Sequence, residues 1–148
     1  MTPADLKRLQ LLAELEDAER EALAPLLEPL DLAPGSVLFD EGETGEGALF
    51  LVEGEIRLAS SRTSAATRVG PGTALGALSL AASGPREARA ETTSRCQLLV
   101  LRRSAFRRFC DDEPRAACRL LEAILRETTR LGRAALADAG VDPLAGDD

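Results

Sequence analysis

Gly70-Pro71-Gly72-Thr73-Ala74-Leu75-Gly76-Ala77-Leu78-Ser79-Leu80-Ala81-Ala82-Ser83-Gly84-Pro85-Arg86-Glu87-Ala88-Arg89-Ala90 is the stretch around which the chain is organised. A Pro-Gly turn leads into a glycine-opened apolar segment long enough for one or two helical turns. A Gly-Pro turn ends it, and Arg86 follows at the head of an expected strand. A helix start offers unpaired backbone N–H groups and the positive end of its dipole to an anion. An arginine delivered to the same place adds a bidentate fork suited to phosphate. The stretch reads as an anion cradle. Taken alone, the stretch is better explained as a surface turn with a solvated arginine; the flanking sequence decides between the two.

The chain has 148 residues, 45% of them hydrophobic, enough for one domain with a real core. Aromatic residues make up only 3%, with four Phe and neither Trp nor Tyr, so aliphatic side chains must do most of the packing. The formal charge of -7 argues against a nucleic-acid-binding surface. Histidine is absent, which removes His-based acid–base catalysis, His-activated nucleophiles and His-ligated metal sites together. No catalytic or metal site is expected. The three cysteines, Cys96, Cys110 and Cys118, form no CxxC pair and read as small buried apolar residues in a reducing compartment. No signal peptide or spanning segment is apparent, so a soluble, cytoplasmic protein is expected.

Towards the N-terminus, Thr2 as N-cap, Pro3 and Asp5 predict a helix carrying Leu6, Leu9, Leu12 and Ala13. A second helix is predicted from Asp17, with Ala18, Ala22, Leu23 and Leu26 inward and Pro25 and Pro29 shortening or kinking it. From Leu30 the period changes. Leu30, Leu32, Val37, Phe39, Leu49, Leu51, Ile56 and Leu58 fall in short apolar runs. Ala33-Pro34-Gly35, Glu41-Gly42-Glu43, Thr44-Gly45-Glu46-Gly47 and Glu53-Gly54-Glu55 punctuate them as turns. That pattern means antiparallel β structure, a sandwich or small barrel. Residues 59 to 67, small and polar, are expected to form a loop or hairpin tip, and Gln97 to Leu101 read as a strand buried on both faces.

Beyond the barrel, Ser104 is the expected N-cap of a helix over Ala105 to Cys110, and Pro114 the start of a longer one reaching Ala139, where Gly140 stops it. Along that helix Ala117, Leu121, Ile124, Thr128, Leu131 and Ala135 step by four and three, the spacing of a coiled-coil seam. A helix packed on its own barrel needs such a stripe too. Its length, about 26 residues and about 39 Å, exceeds one small domain and favours dimerisation through the distal half. Asp142 to Asp148 form an acidic, frayed tail.

Helices, then short glycine-punctuated strands, then helices is an uncommon order, and here the residues resemble the cyclic nucleotide-binding domain family of catabolite-activator-type regulators and cyclic-AMP-dependent kinase regulatory subunits. Residues Ala33 to Glu43 match the family's opening strand pair, and Gly45 with Leu49 to Leu58 the following hairpin. Pro71-Gly72, Leu75-Gly76 and Pro85-Arg86-Glu87-Ala88 look like its phosphate-binding cassette, and Cys96 to Phe106 its last strand and first C-terminal helix. The ordered set spans roughly residues 12 to 131. The resemblance implies an α+β fold: an antiparallel double-stranded β-helix, or jelly-roll barrel, over about 30–102, with N-terminal helices and C-terminal helices over about 104–139. No DNA-binding domain is expected, from the few residues after Ala139 rather than from the resemblance.

In the family the cassette glutamate binds the ribose 2′-hydroxyl and the arginine binds the cyclic phosphate. Arg86 occupies the arginine position, Ala77 stands where the glutamate belongs, and Glu87 stands where a small or hydroxyl residue faces the phosphate. The reading is therefore a non-enzymatic regulatory module, cofactor-free, with weak or lost nucleotide binding, acting through a protein partner and a homodimer. The alternative is a true sensor in which Arg86 and the cassette at Gly76, Ala77, Leu78 and Ser79 still hold a phosphate-bearing ligand. A cupin-like metalloenzyme is set aside for want of histidine. Direct DNA binding is set aside because of the charge and because the residues after Ala139 are too few for a helix-turn-helix.

Overall fold

The computed structural model describes residues 3–62 and 65–138. Thr2, Gly140, the acidic run from Asp142 and the side chains of Leu131 and Ala135 lie outside what it describes. Ten strands are present among the described residues: β1 (Glu28–Leu32), β2 (Val37–Phe39), β3 (Thr44–Gly45), β4 (Gly47–Glu53), β5 (Ile56–Ala59), β6 (Thr67–Val69), β7 (Ala74–Leu75), β8 (Gly84–Pro85), β9 (Arg89–Thr92) and β10 (Cys96–Arg102). They pair antiparallel in the orders β1-β10-β4-β7 and β2-β9-β5-β6, with β3-β8 as a two-residue bridge. Helices α1 (Asp17–Leu23), α2 (Arg103–Asp112) and α3 (Pro114–Asp138) flank the strands. This is the expected α+β jelly roll with a long C-terminal helix.

Strands β4 and β10 run side by side and are buried on both faces, as two apolar runs require. Alternation along them divides the core in two. Leu49 and Leu51 of β4 and Leu98 of β10 face the roll interior with Phe39, Ile56, Leu75, Ala90 and Cys96. Ala48, Phe50, Leu99 and Leu101 face outward, where they meet Phe106, Phe109, Leu120 and Ile124 of the helices. Strands β5 and β6 pair as a hairpin.

Four expectations need correction. The N-terminal segment is 3-10 helix, Pro3–Arg8 and Gln10–Leu12, interrupted at Leu9 in extended conformation. Leu6, Leu9, Leu12 and Leu15, all buried, repeat every third residue, which matches a helix of about three residues per turn better than an α-helix. The fully buried residues of α1 are Glu19, Arg20 and Leu23; Ala22 and the following Leu26 pack on the core part-buried as expected, whereas Ala18, like Ala13, is exposed. The Arg20 guanidinium is buried beneath the preceding turn, donating to the carbonyls of Leu12 (3.0 Å) and Leu15 and to Asp17 (2.6 Å). Helix α2 begins at Arg103 with no side-chain cap, because the Arg103 N–H is taken by the Glu46 carbonyl at 2.8 Å; Ser104 is inside the helix and exposed. Thr44-Gly45 and Gly84-Pro85, expected as turns, pair with each other as β3 and β8.

Helix α3 lies on the N-terminal segment through Leu120 and Ile124, with ion pairs at its edge. Arg119 reaches Glu16 (3.1 Å) and Glu19 (2.7 Å), and Arg126 takes both carboxylate oxygens of Glu14. The seam residues Ala117 and Ile124 are thus buried in their own domain, while Leu121 is half-buried and Thr128 exposed. Leu125, beside the seam, stands 61% exposed. Phe50→Ala is expected to cost about 3–5 kcal/mol in urea unfolding, since it opens a cavity where the outer face of β4 meets the helices. Leu125→Ala should stay within about 0.5 kcal/mol of the wild type.

Candidate functional site

Strand β7 ends at Leu75, and the chain turns on Gly76, whose φ of 66° and ψ of 26° lie in the left-handed region. That turn launches a single 3-10 turn, Ala77–Leu80, in place of one or two α-helical turns. The chain returns through β8, whose pairing with β3 sets the position of Arg86. The Arg86 N–H donates to the Glu43 carbonyl at 2.6 Å, and the Arg86 carbonyl accepts from Gly42 N–H at 2.8 Å. The backbone of Arg86 is therefore fixed from both sides against the turn between β2 and β3.

Its half-buried side chain points back into the cassette. Nη1 donates to the Gly76 carbonyl (3.3 Å) and to Ser79 Oγ (3.2 Å), and Nη2 donates to the Gly47 carbonyl (3.0 Å). The guanidinium lies 4.5 Å from the centroid of the Phe39 ring, within cation–π range. Two glycines make room for it. A methyl group at Gly76 would collide with Nη1 and come within 2.9 Å of Cζ, and one at Gly45 would meet Ser79 Oγ and stand 2.8 Å from Arg86 Nε. Burial pulls the proton affinity of Arg86 down from its ordinary value, and the nearby Glu43 carboxylate opposes that pull.

The other expected residues divide. Ser79 is buried and joins the arginine, but its amide N–H is already bonded to the Gly76 carbonyl (3.0 Å) and is not offered to an anion. Ala77 packs its methyl on the helical core, and Leu78 is 40% exposed. Glu87 is exposed and makes no ion pair with Arg86 among the described residues; the carboxylate that acts on Arg86 is Glu43. Phe39, Glu43, Gly45 and Gly47 belong to the site and were missed. For all but Phe39 the signal was the run Glu41 to Gly47, in which Gly45 reads as turn punctuation but serves close approach to a guanidinium.

Beside Arg86 a cavity of about 240 Å³ opens between the apolar Phe39, Leu49 and Val100 and the charged Glu43, Glu46 and Arg102. It falls below the roughly 300–1,000 Å³ usual for small-molecule sites. Arg102 is itself turned to Glu28, at 3.0 Å. Among the described residues no helix is long and apolar enough to cross a membrane.

The cyclic nucleotide-binding domain model matches residues 29–113. A CRP-like cAMP-activated global transcriptional regulator of Mycobacterium tuberculosis is 28% identical over 129 residues, covering 84% of this chain. The chain spans 58% of that relative's length. The N-terminal domain of a transcriptional regulator from Streptomyces coelicolor superposes with a TM-score of 0.74 at 30% identity, covering 88% of this chain and 93% of that one. A cyclic nucleotide-binding domain from Methylobacillus flagellatus gives a TM-score of 0.77 at 19% identity over 91% of this chain and 78% of its own, a likeness of fold.

Gly76→Ala is expected to destabilise the protein, because alanine combines a positive φ with a collision against Arg86. Arg86→Met should lose about 1–3 kcal/mol by leaving the acceptors at Gly47, Gly76 and Ser79 short of a donor. Thermal unfolding with urea titration measures both, and an Arg86→Met protein as stable as the wild type would show those bonds to be idle.

Proposed function

Because the chain belongs to the cyclic nucleotide-binding domain family, we propose that it is a non-enzymatic regulatory module whose hold on cyclic nucleotide is weak or lost and which acts through protein contacts. One observation carries this reading: the cassette arginine is already bonded to three acceptors of its own protein. A phosphate meets a guanidinium with three of its five N–H groups already taken. Ala77 adds to the deficit, since the glutamate that the family resemblance puts there supplies a charged hydrogen bond. Such a bond is worth about 1.5–3 kcal/mol, or about one to two decades of affinity. The Glu43 and Glu46 carboxylates on the cavity wall repel a further anion, and the cavity is small.

The runner-up is a sensor of a cyclic nucleotide or another small phosphate-bearing ligand, as the name of the cAMP-activated Mycobacterium relative invites. What favours it is the donor count. Arginine carries five N–H groups, and three are taken, leaving Nε–H and one Nη2–H as a free edge. Isothermal titration with cyclic AMP and cyclic GMP separates the two. No binding tighter than about 10 µM, about −7 kcal/mol, is expected for either. Tighter binding that Arg86→Ala abolishes would establish the sensor instead.

The same reading includes a homodimer through α3, with its face moved by one residue from the seam first drawn. Ile124 is spent in the domain's own core, so Leu121, Leu125 and Thr128, spaced by four and three, form the outward stripe. Direct contact with nucleic acid is not part of it, because a net charge of -7 opposes a phosphate backbone. Light scattering coupled to size exclusion should give a dimer mass for the wild type and a monomer mass for Leu125→Glu. A wild-type monomer at high concentration would remove the dimer.

A further inference from the structure

Against the expectation of buried cysteines, only Cys96 is fully buried, while Cys110 is half-buried and Cys118 exposed; all three are free thiols. The cavity beside Arg86 carries more chemistry, because its wall holds charges of both signs. Phe39, Leu49 and Val100 make an apolar side, and Glu43, Glu46 and Arg86 a charged one. Both acidic residues are pinned through their backbones. The Glu43 carbonyl takes the Arg86 N–H at 2.6 Å, and the Glu46 carbonyl takes the Arg103 N–H at 2.8 Å. Their carboxylates make no ion pair among the described residues. Arg102, the other cation on the wall, is already matched by Glu28 at 3.0 Å. Arg86 spends three N–H groups on Gly76, Ser79 and Gly47 and keeps Nε–H and one Nη2–H. One guanidinium edge and two carboxylates thus share a cavity without closing on each other.

We propose that this cavity is a binding site for a small zwitterion, an α-amino acid with a short branched aliphatic side chain such as valine. Each part of that ligand has its counterpart on the wall. The planar carboxylate suits the remaining edge of the Arg86 guanidinium. The ammonium group has donors to place and a positive charge to match, and Glu43 and Glu46 offer acceptors of the opposite sign. The aliphatic side chain lies on Phe39, Leu49 and Val100 and removes their surface from water. Size agrees as well. The cavity of about 240 Å³, at about 30 Å³ for each water-sized group, holds about eight heavy atoms, a valine's complement.

Charge complementarity selects this ligand class over its neighbours. A lone anion gains one guanidinium edge and meets two carboxylates that repel it. A lone cation gains the carboxylates and meets the guanidinium. A cyclic nucleotide brings an anion for Arg86 and no cation for Glu43 and Glu46. A ligand with both charges on adjacent groups satisfies the whole wall. Occupancy by an amino acid is compatible with a module that works through protein contacts, and it rests on the part of that reading in which the cassette holds no cyclic nucleotide.

The test is isothermal titration of the full chain with L-valine, with 3-methylbutanoate, which lacks the amine, and with 2-methylpropylamine, which lacks the carboxylate. Valine is expected to bind with a Kd below about 1 mM, and each one-charge analogue about tenfold more weakly or worse. A double variant, Glu43→Gln with Glu46→Gln, keeps the backbone carbonyls that hold Arg86 and Arg103. It should weaken valine about five- to tenfold, as loss of two exposed charge pairs does, yet tighten 3-methylbutanoate by removing repulsion. Damage to the fold would weaken both ligands, so the opposite signs identify the charge contact. Valine that binds no better than either analogue, or as well to the double variant as to the wild type, would overturn the proposal. Cyclic AMP titrated into the same protein keeps the two readings apart. If neither valine nor cyclic AMP binds, the amino-acid site alone falls; if cyclic AMP binds tightly and valine does not, both fall.

Discussion

The pairing of β4 with β10 is the constraint on which the rest of the structure depends. Each strand is apolar on both faces, so each must be covered twice, and no single layer of helix or sheet can do that. The chain meets the demand by curling the remaining strands over one face and laying the helices on the other. Phe50 and Leu101 commit the outer face to α2 and α3, while Leu51 and Leu98 commit the inner face to the roll. The candidate site follows from this arrangement. Strand β4 begins at Gly47, where the chain enters the ladder, and the carbonyl of that residue receives Arg86. The inner wall of the cavity is Leu49 of β4 and Val100 of β10.

Much of this was legible in the sequence because it rests on period and punctuation. Leu49 and Leu51, or Leu98 to Leu101, announce buried strands whatever surrounds them. The order of elements was readable too, and with it the family. What escaped depends on contacts across the chain. Thr44-Gly45 and Gly84-Pro85 look like turns, and only their mutual pairing makes them strands. Glu19 and Arg20 look like surface charges, yet α1 turns them inward because Arg20 has carbonyls to satisfy beneath it and Glu19 has Arg119 of α3 to meet. The leucines at every third position read as helix, and only the structure shows the tighter 3-10 winding that their spacing fits.

At the site the division is similar. Arg86 was evident from its place after a Gly-Pro pair and from the family resemblance. Its partners were not, because two of the three are backbone carbonyls, which carry no signature in sequence. The third, Ser79, was foreseen as an anion ligand through its amide and serves through its hydroxyl. Glu87, by its place in the sequence, reads as a carboxylate facing the phosphate position. Adjacent residues near a strand point to opposite sides, and the structure gives the carboxylate role to Glu43, across the turn.

These contacts bear on why an arginine is held in a cassette without its glutamate. A guanidinium cannot shed its charge by deprotonation, so once half-buried it must be matched by acceptors, by an aromatic face or by an anion. Here the protein supplies carbonyls, a hydroxyl and the Phe39 ring, and Glu43 adds charge from the rim. Gly45 and Gly76 remain glycine-sized because the guanidinium fills the space beside them. Arg86 thereby ties β8, the cassette turn and the start of β4 together from within. In this arrangement the arginine is a structural bolt, its guanidinium held by three bonds to its own protein whatever else it meets.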